Sequence, residues 1–290
     1  MSAVLIVAKK EIRDALSNRW LLAYCGLLAL LALALSYLGQ RNLGALGFEN
    51  FSRTTASLLN LCLLLAPIMA LTVGAGAIAG ERERGTLTYL LSQPIERWEL
   101  LLGKFAGLVA SIALATVAGF GVAGVAIALY GSAMEAGTYL LFVALVVALV
   151  AVMTGLGLLA SVISPTRVQA LGLALLVWFA TVFFFDLALI GLASSTSLGG
   201  AGLFVTLLAN PVEIVRVLAI IHLEPDLEIL GPFGAFVLEE VGTAGATAIL
   251  VTALLAWMSA PVATAIMLFD RGAPRAQAGA RTARAGRSAS

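Results

Sequence analysis

Residues Thr138 to Ile163 read TYLLFVALVVALVAVMTGLGLLASVI, 26 positions without one charged side chain. Coiled as an α-helix at about 1.5 Å per residue, such a run is longer than the ~30 Å hydrocarbon core of a bilayer. In lipid, every backbone N–H and C=O must find a partner within the protein. A helix satisfies them internally, and the alternative, a closed barrel, would show short strands of alternating polarity rather than one continuous run. The stretch therefore predicts a transmembrane helix. Five more runs meet the same description: Trp20 to Leu38, Ser57 to Gly80, Phe105 to Leu129, Val168 to Ala193 and Gly245 to Leu268. Together they predict an all-α integral membrane fold with six spans over residues 20–269.

Composition agrees. The 290 residues are 61% hydrophobic and 11% charged, with mean hydropathy +1.04, whereas soluble domains are roughly half apolar and about a quarter charged. The near balance of 17 Lys and Arg against 16 Asp and Glu gives no case for a nucleic-acid partner. Cys25 and Cys62 fall inside apolar runs, which favours buried thiols over a disulfide. Leu21 to Leu38 exceeds the apolar core of a cleavable signal, so it reads as a retained first span.

Orientation follows from the cations in the connections. With the N-terminus inside, one side carries Lys9, Lys10, Arg13, Arg19, Arg82, Arg84, Arg97, Lys104, Arg167, Arg271, Arg275, Arg281, Arg284 and Arg287. Only Arg41, Arg53 and Arg216 remain for the other side. Both termini are thus expected in the cytoplasm. Within residues 1–19, Leu5, Ala8, Ile12 and Leu16 recur at helical spacing among basic residues. This predicts either an amphipathic helix in the cytoplasmic interface or a simple extension of the first span. Residues 270–290 lack any apolar period and read as a disordered basic tail.

On the outer side, residues 194–244 form a long segment whose apolar stretches, Leu203 to Ala209, Ile214 to Ile221 and Ile229 to Val237, are too short to span. Re-entrant helices between spans five and six fit that pattern. Acids gather there: Glu213, Glu224, Asp226, Glu228, Glu239 and Glu240.

Chemistry is sparse. The one Gly-Lys pair, Gly103-Lys104, is followed by Phe105, so no phosphate-cradling loop exists, and the single histidine, His222, excludes a His-Glu-x-x-His zinc site. No metal site and no catalytic residue is assigned. The methionines Met69, Met134, Met153, Met258 and Met267 are scattered as core packing would scatter them. Asp186 is an acid inside an apolar run, about 27 Å along the fifth span, where an interfacial acid with a polar partner is expected, with a transport relay as the alternative. Small-residue spacings at Gly76 and Gly80, Gly103 and Gly107, and Gly155 with Gly157 permit close helix approach.

The connection between the second and third spans, residues 81–99, is the most informative. It reads ERERGTLTYLLSQPIERWE. Gly85 breaks the preceding helix, Thr86 can cap a new one, and Leu87, Leu90 and Leu91 then share a face. Pro94 ends the short helix. A short transverse helix is predicted that presents its leucines and Tyr89 outward amid charges, an apolar knob suited to a partner's groove.

Glu81, Glu83, Gly85, Thr86 and Leu87, followed by Leu90-Leu91-Ser92, Pro94 and Arg97, resemble the coupling region of ABC-2 type permeases, the membrane subunits of ATP-binding-cassette exporters. The resemblance covers nearly the whole chain. It implies a type V exporter-like permease that binds no cofactor itself, a separate ATPase subunit in two copies carrying ATP and Mg, and a second copy of this chain. The implied ATPase contact is Thr86 through Ser92, Tyr89 included, flanked by Glu81, Glu83 and Arg97. Leu91 to Arg97 (LSQPIER), Leu101 to Phe105 (LLGKF) and Leu207 to Pro211 (LLANP) also resemble permeases of nitrous oxide reductase copper-site maturation. That narrower likeness implies a periplasmic partner, met by Asn210, Pro211 and the six outer acids. An exporter of a lipid-linked or apolar small molecule is the alternative; an intramembrane enzyme or a non-energised scaffold is more remote.

Overall fold

The computed structural model describes residues 3–41, 49–130, 133–195, 199–223, 234, 236 and 240–271. Its main elements are helical: α1 (Ala3–Leu16), α2 (Arg19–Arg41), α3 (Glu49–Glu83), α4 (Thr86–Leu91), α5 (Arg97–Tyr130), α6 (Ala133–Ile163), α7 (Arg167–Phe179), α8 (Phe185–Ser195), α9 (Gly200–Leu207), α10 (Pro211–Leu223) and α11 (Thr243–Arg271). A π turn, Ala180–Phe184, joins α7 to α8.

Among the described residues, five stretches are long and apolar enough to cross a membrane: Asn60–Glu83, Arg97–Gly121, Tyr139–Ile163, Arg167–Leu189 and Thr243–Arg271. These carry five of the six expected spans. The remaining one, Trp20 to Leu38, falls on α2, which meets α1 at a bend of 69°. The number reaches six only if that bent pair is taken as a single span. The short stretches Leu203 to Ala209 and Ile214 to Ile221 fall on α9 and α10, whereas most of Ile229 to Val237 and residues 272–290 lie outside the described residues.

Apolar helices gain nothing by leaving lipid for one another, so close packing and interhelical hydrogen bonds must hold the bundle. The centre, α3 against α6, uses both. A Cβ placed on Gly157 would lie 2.5 Å from the Leu71 carbonyl oxygen, and one on Gly74 2.7 Å from that of Thr154. Nearby, Ser161 Oγ accepts from the backbone N–H groups of Ile78 (2.9 Å) and Ala79 (2.8 Å). Pro67 interrupts α3, and in the preceding turn the Leu64 carbonyl accepts a bond from Trp178 Nε1 at 3.0 Å.

The glycine pair Gly103 and Gly107 of α5 receives α1. A Cβ on the first would sit 2.7 Å from Val7 Cβ, and on the second 2.7 Å from Glu11 Cβ. The docked face of α1 is therefore Val4, Val7, Ala8 and Glu11, rotated from the expected stripe, and Leu5 is 57% exposed. Gly76 and Gly80 contact no neighbouring helix backbone; a Cβ there would meet only arginine side chains at 3.7–3.9 Å.

Candidate functional site

The C-terminal turn of α3 is the point where the helix ends meet. Glu81, Arg82 and Glu83 each reach a different neighbour. Glu81 Oε1 lies 2.7 Å from Lys104 Nζ on α5, and the same ammonium is 2.7 Å from Glu11 Oε1 on α1. Arg82 donates to the carbonyls of Ser164 (2.5 Å) and Val162 (3.3 Å), the unpaired acceptors at the C-terminal end of α6. Glu83 Oε1 accepts from the backbone N–H of Arg167 at 2.7 Å, where a carboxylate complements the positive N-terminus of α7. Across α4, Arg97 donates to the Phe269 carbonyl at 3.1 Å, near the end of α11. Both α1 and the C-terminal end of α11 thus stand at the same end of the bundle as α4.

Gly85 takes φ +73°, a left-handed geometry that suits glycine, and turns the chain from α3 into α4. Thr86 Oγ1 donates back to the Glu81 carbonyl at 3.3 Å. α4 lies with its leucines inward, contrary to the expected outward knob. Leu87 is buried, and Leu90 and Leu91 are half-buried, in a cluster with Ile78, Leu100, Leu101, Leu158 and Phe269. The physical reason is that a six-residue helix has too little surface to leave three leucines in water when a neighbouring apolar cluster is open to them. What α4 presents outward is Tyr89, 70% exposed, with Thr86, Thr88 and Ser92; Gln93 and Pro94 continue that exposed surface. The Ser92 hydroxyl donates to the Tyr89 carbonyl at 2.7 Å.

Lys10 stands at the rim of the buried ion cluster, 3.6 Å from Glu11, 3.9 Å from Glu81 and 3.5 Å from Asp14. Burial pulls its ammonium down, but the carboxylates of Glu11, Glu81 and Asp14 more than offset this and hold it above the usual lysine range.

The far-end residues are placed differently from expectation. Asn210 is 1% exposed; its Nδ2 donates to the Thr181 carbonyl within the π turn (2.6 Å), and its Oδ1 accepts from the Val212 N–H (3.0 Å), capping α10. Pro211 is buried at the first position of α10, and Glu213 is buried 2.7 Å from Arg216. Asn210 thus ties the start of α10 to the π turn, and all three residues are buried rather than on an exposed surface that a partner could touch. Glu240 is exposed. Glu224, Asp226, Glu228 and Glu239 lie outside the described residues. The polar partner of Asp186 is Arg216, at 3.4 Å.

A family model described as "ABC-2 family transporter protein" matches residues 5–272. The chain belongs to the ABC-2 family of transporter proteins. Similar proteins include a probable ABC transporter permease protein NosY of Stutzerimonas stutzeri, 38% identical over 93% of this chain and 99% of its own length. Another is the probable ABC transporter permease protein NosY of Pseudomonas aeruginosa PAO1, 39% identical over 75% of this chain and 82% of its own. With five helices among the described residues long and apolar enough to cross a membrane, this ABC-2 chain is a multi-pass membrane protein.

The sequence of this ABC-2 protein offers Lys104 only as one of the inner-side cations and as part of short motifs, and does not mark Glu11 as its partner, although a signal for the pair is present. Lys104 interrupts the apolar run Leu100 to Ala106, where a charge needs a partner. Glu11 follows Val4, Val7 and Ala8 at helical spacing, which places an acid on the face that docks.

Proposed function

We propose that this chain is the permease subunit of an ABC transporter and that a separate ATPase docks on the outward face of α4. The arrangement at α4 carries the reading. The helix is wedged by Leu87 among the ends of the spans, while Tyr89 stands out from it. A force on Tyr89 would reach α1, α5, α6 and α7 through Glu81, Arg82 and Glu83, and Arg97 links the start of α5 to α11. In this account six spans cross a bacterial inner membrane, both termini are cytoplasmic, and α9 and α10 are re-entrant from the outer side. Two copies of the chain work with two ATPase subunits, which hold ATP and Mg. The likeness to the NosY permeases supports a role in building the copper-sulfur site of nitrous oxide reductase, with a periplasmic partner meeting the acidic segment around Glu240.

Two experiments test this. Tagged chain co-expressed with the ATPase is purified in detergent. The ATPase should remain bound to wild type and be lost from Tyr89→Asp while that variant keeps its unfolding temperature; undiminished binding by Tyr89→Asp would refute the docking site. In a denitrifying host lacking its own permease of this kind, the chain should restore the copper content of nitrous oxide reductase. An enzyme that stays copper-deficient despite normal expression would refute the maturation role.

A further inference from the structure

Lys104 is 1% exposed, and its ammonium sits between two carboxylates drawn from two other helices. Close packing also holds helix α1 here, because Gly103 and Gly107 admit Val4, Val7 and Ala8 to van der Waals contact. As an adhesive the cluster is inefficient: desolvating three charges offsets most of their attraction, and apolar side chains of similar volume hold helices as well or better. Its geometry does something that apolar contacts cannot, which is to fix a direction. Lys104 ties Glu11 of α1 to Glu81, whose backbone carbonyl accepts the bond from Thr86 at the first position of α4. The path from the α4 start to α1 is continuous: Thr86, Glu81, Lys104, Glu11.

We infer that Glu11 and Lys104 are positioning residues that lock α1 to α4, so that both move as one lever when the ATPase acts. The inference rests on the coupling reading above. It assigns α1 a working part in the stroke: turned with α4, α1 passes the motion into α2 across the 69° bend.

The test compares wild type, Glu11→Gln, and the exchange of Glu11→Lys with Lys104→Glu, which restores a lysine between two glutamates. Each is purified with the ATPase and placed in lipid vesicles. Spin labels at the exposed positions Arg13 and Thr88 report the distance between α1 and α4. Because Thr88 lies on the docking face, ATPase retention is judged on the unlabelled chain, and the distances are read from labelled complexes that retain the ATPase equally. In wild type this distance should stay the same with and without ATP. In Glu11→Gln it should broaden on ATP addition, ATP turnover should fall about fivefold with the ATPase still bound, and the exchange should restore both. A Glu11→Gln complex with wild-type distances and turnover, or an exchange that restores neither, would overturn the inference. If wild type itself retains no ATPase, the coupling reading fails instead. The distance measured in the chain alone then still shows whether Glu11→Gln loosens α1 from α4.

Discussion

Two clusters of the same make-up, two acids on one base, stand far apart in the bundle. Near α4, Lys104 holds Glu11 and Glu81, each at 2.7 Å, and its side chain is 2% exposed. Beside the π turn, about 28 Å further along α7 and α8, Arg216 holds Glu213 at 2.7 Å but Asp186 only at 3.4 Å, and Arg216 and Asp186 are 26% and 36% exposed. Packing separates them. Glycines at 103 and 107 bring α1 down over the first cluster and close it. The second borders a π turn, a local irregularity of the helical hydrogen-bond ladder, and stays open. Closure makes the first a lock, while the second is a contact that can lengthen.

The largest expected effect would break this contrast directly. Lys104→Met leaves the two buried carboxylates only the half-exposed ammonium of Lys10, at 3.6 and 3.9 Å, and should cost about 3 kcal/mol, read from unfolding of the purified chain in detergent. Arg216→Met should cost less, about 2 kcal/mol in the same assay, because Arg216 is partly open, its close contact with Glu213 lies within α10, and its interhelical contact with Asp186 is long at 3.4 Å. Equal losses in the two variants would contradict the difference drawn between the clusters.

A smaller effect sharpens the role of the glycines. Gly107→Ala places a methyl 2.7 Å from Glu11 Cβ and 2.8 Å from the Ala8 carbonyl oxygen, which should cost about 1–3 kcal/mol. Gly76→Ala, whose nearest contact would be an Arg167 nitrogen at 3.9 Å, should change stability by no more than about 0.5 kcal/mol. Similar losses at both glycines would mean that close approach of α1 does not govern the lock. Smaller again, Asp186→Asn should cost about 0.6 kcal/mol, since the 3.4 Å contact is long and partly open. A loss as large as that of Lys104→Met would mark the second cluster as a lock too.

The same division separates what could be read in the sequence from what could not. The apolar runs show as helices because lipid leaves the backbone no other way to pair, so length and the absence of charge suffice. The turn at Gly85 and the short helix after it were legible for the same kind of reason, as local backbone chemistry. Which way α4 faces was not legible. Leu87, Leu90 and Leu91 make an apolar face in either orientation, and only the cluster formed by Ile78, Leu101 and Phe269, distant in sequence, turns it inward. Asn210 and Glu213 misled for a related reason. A polar residue in a loop-like segment reads as exposed, yet Asn210 answers a carbonyl of the π turn 29 residues earlier, and Glu213 answers an arginine one turn along α10.

The central claim is that the exposed face of α4, and not the far end, receives the ATPase. Cross-linking from single cysteines tests it most directly, in a chain whose free thiols Cys25 and Cys62 are replaced by alanine. A cysteine at Thr88, on that face, and one at His222, exposed at the end of α10, are each treated with a short bifunctional reagent in the intact complex. The account predicts ATPase captured from Thr88→Cys and none from His222→Cys. Capture from His222→Cys, or no capture from Thr88→Cys while the complex stays assembled, would contradict it.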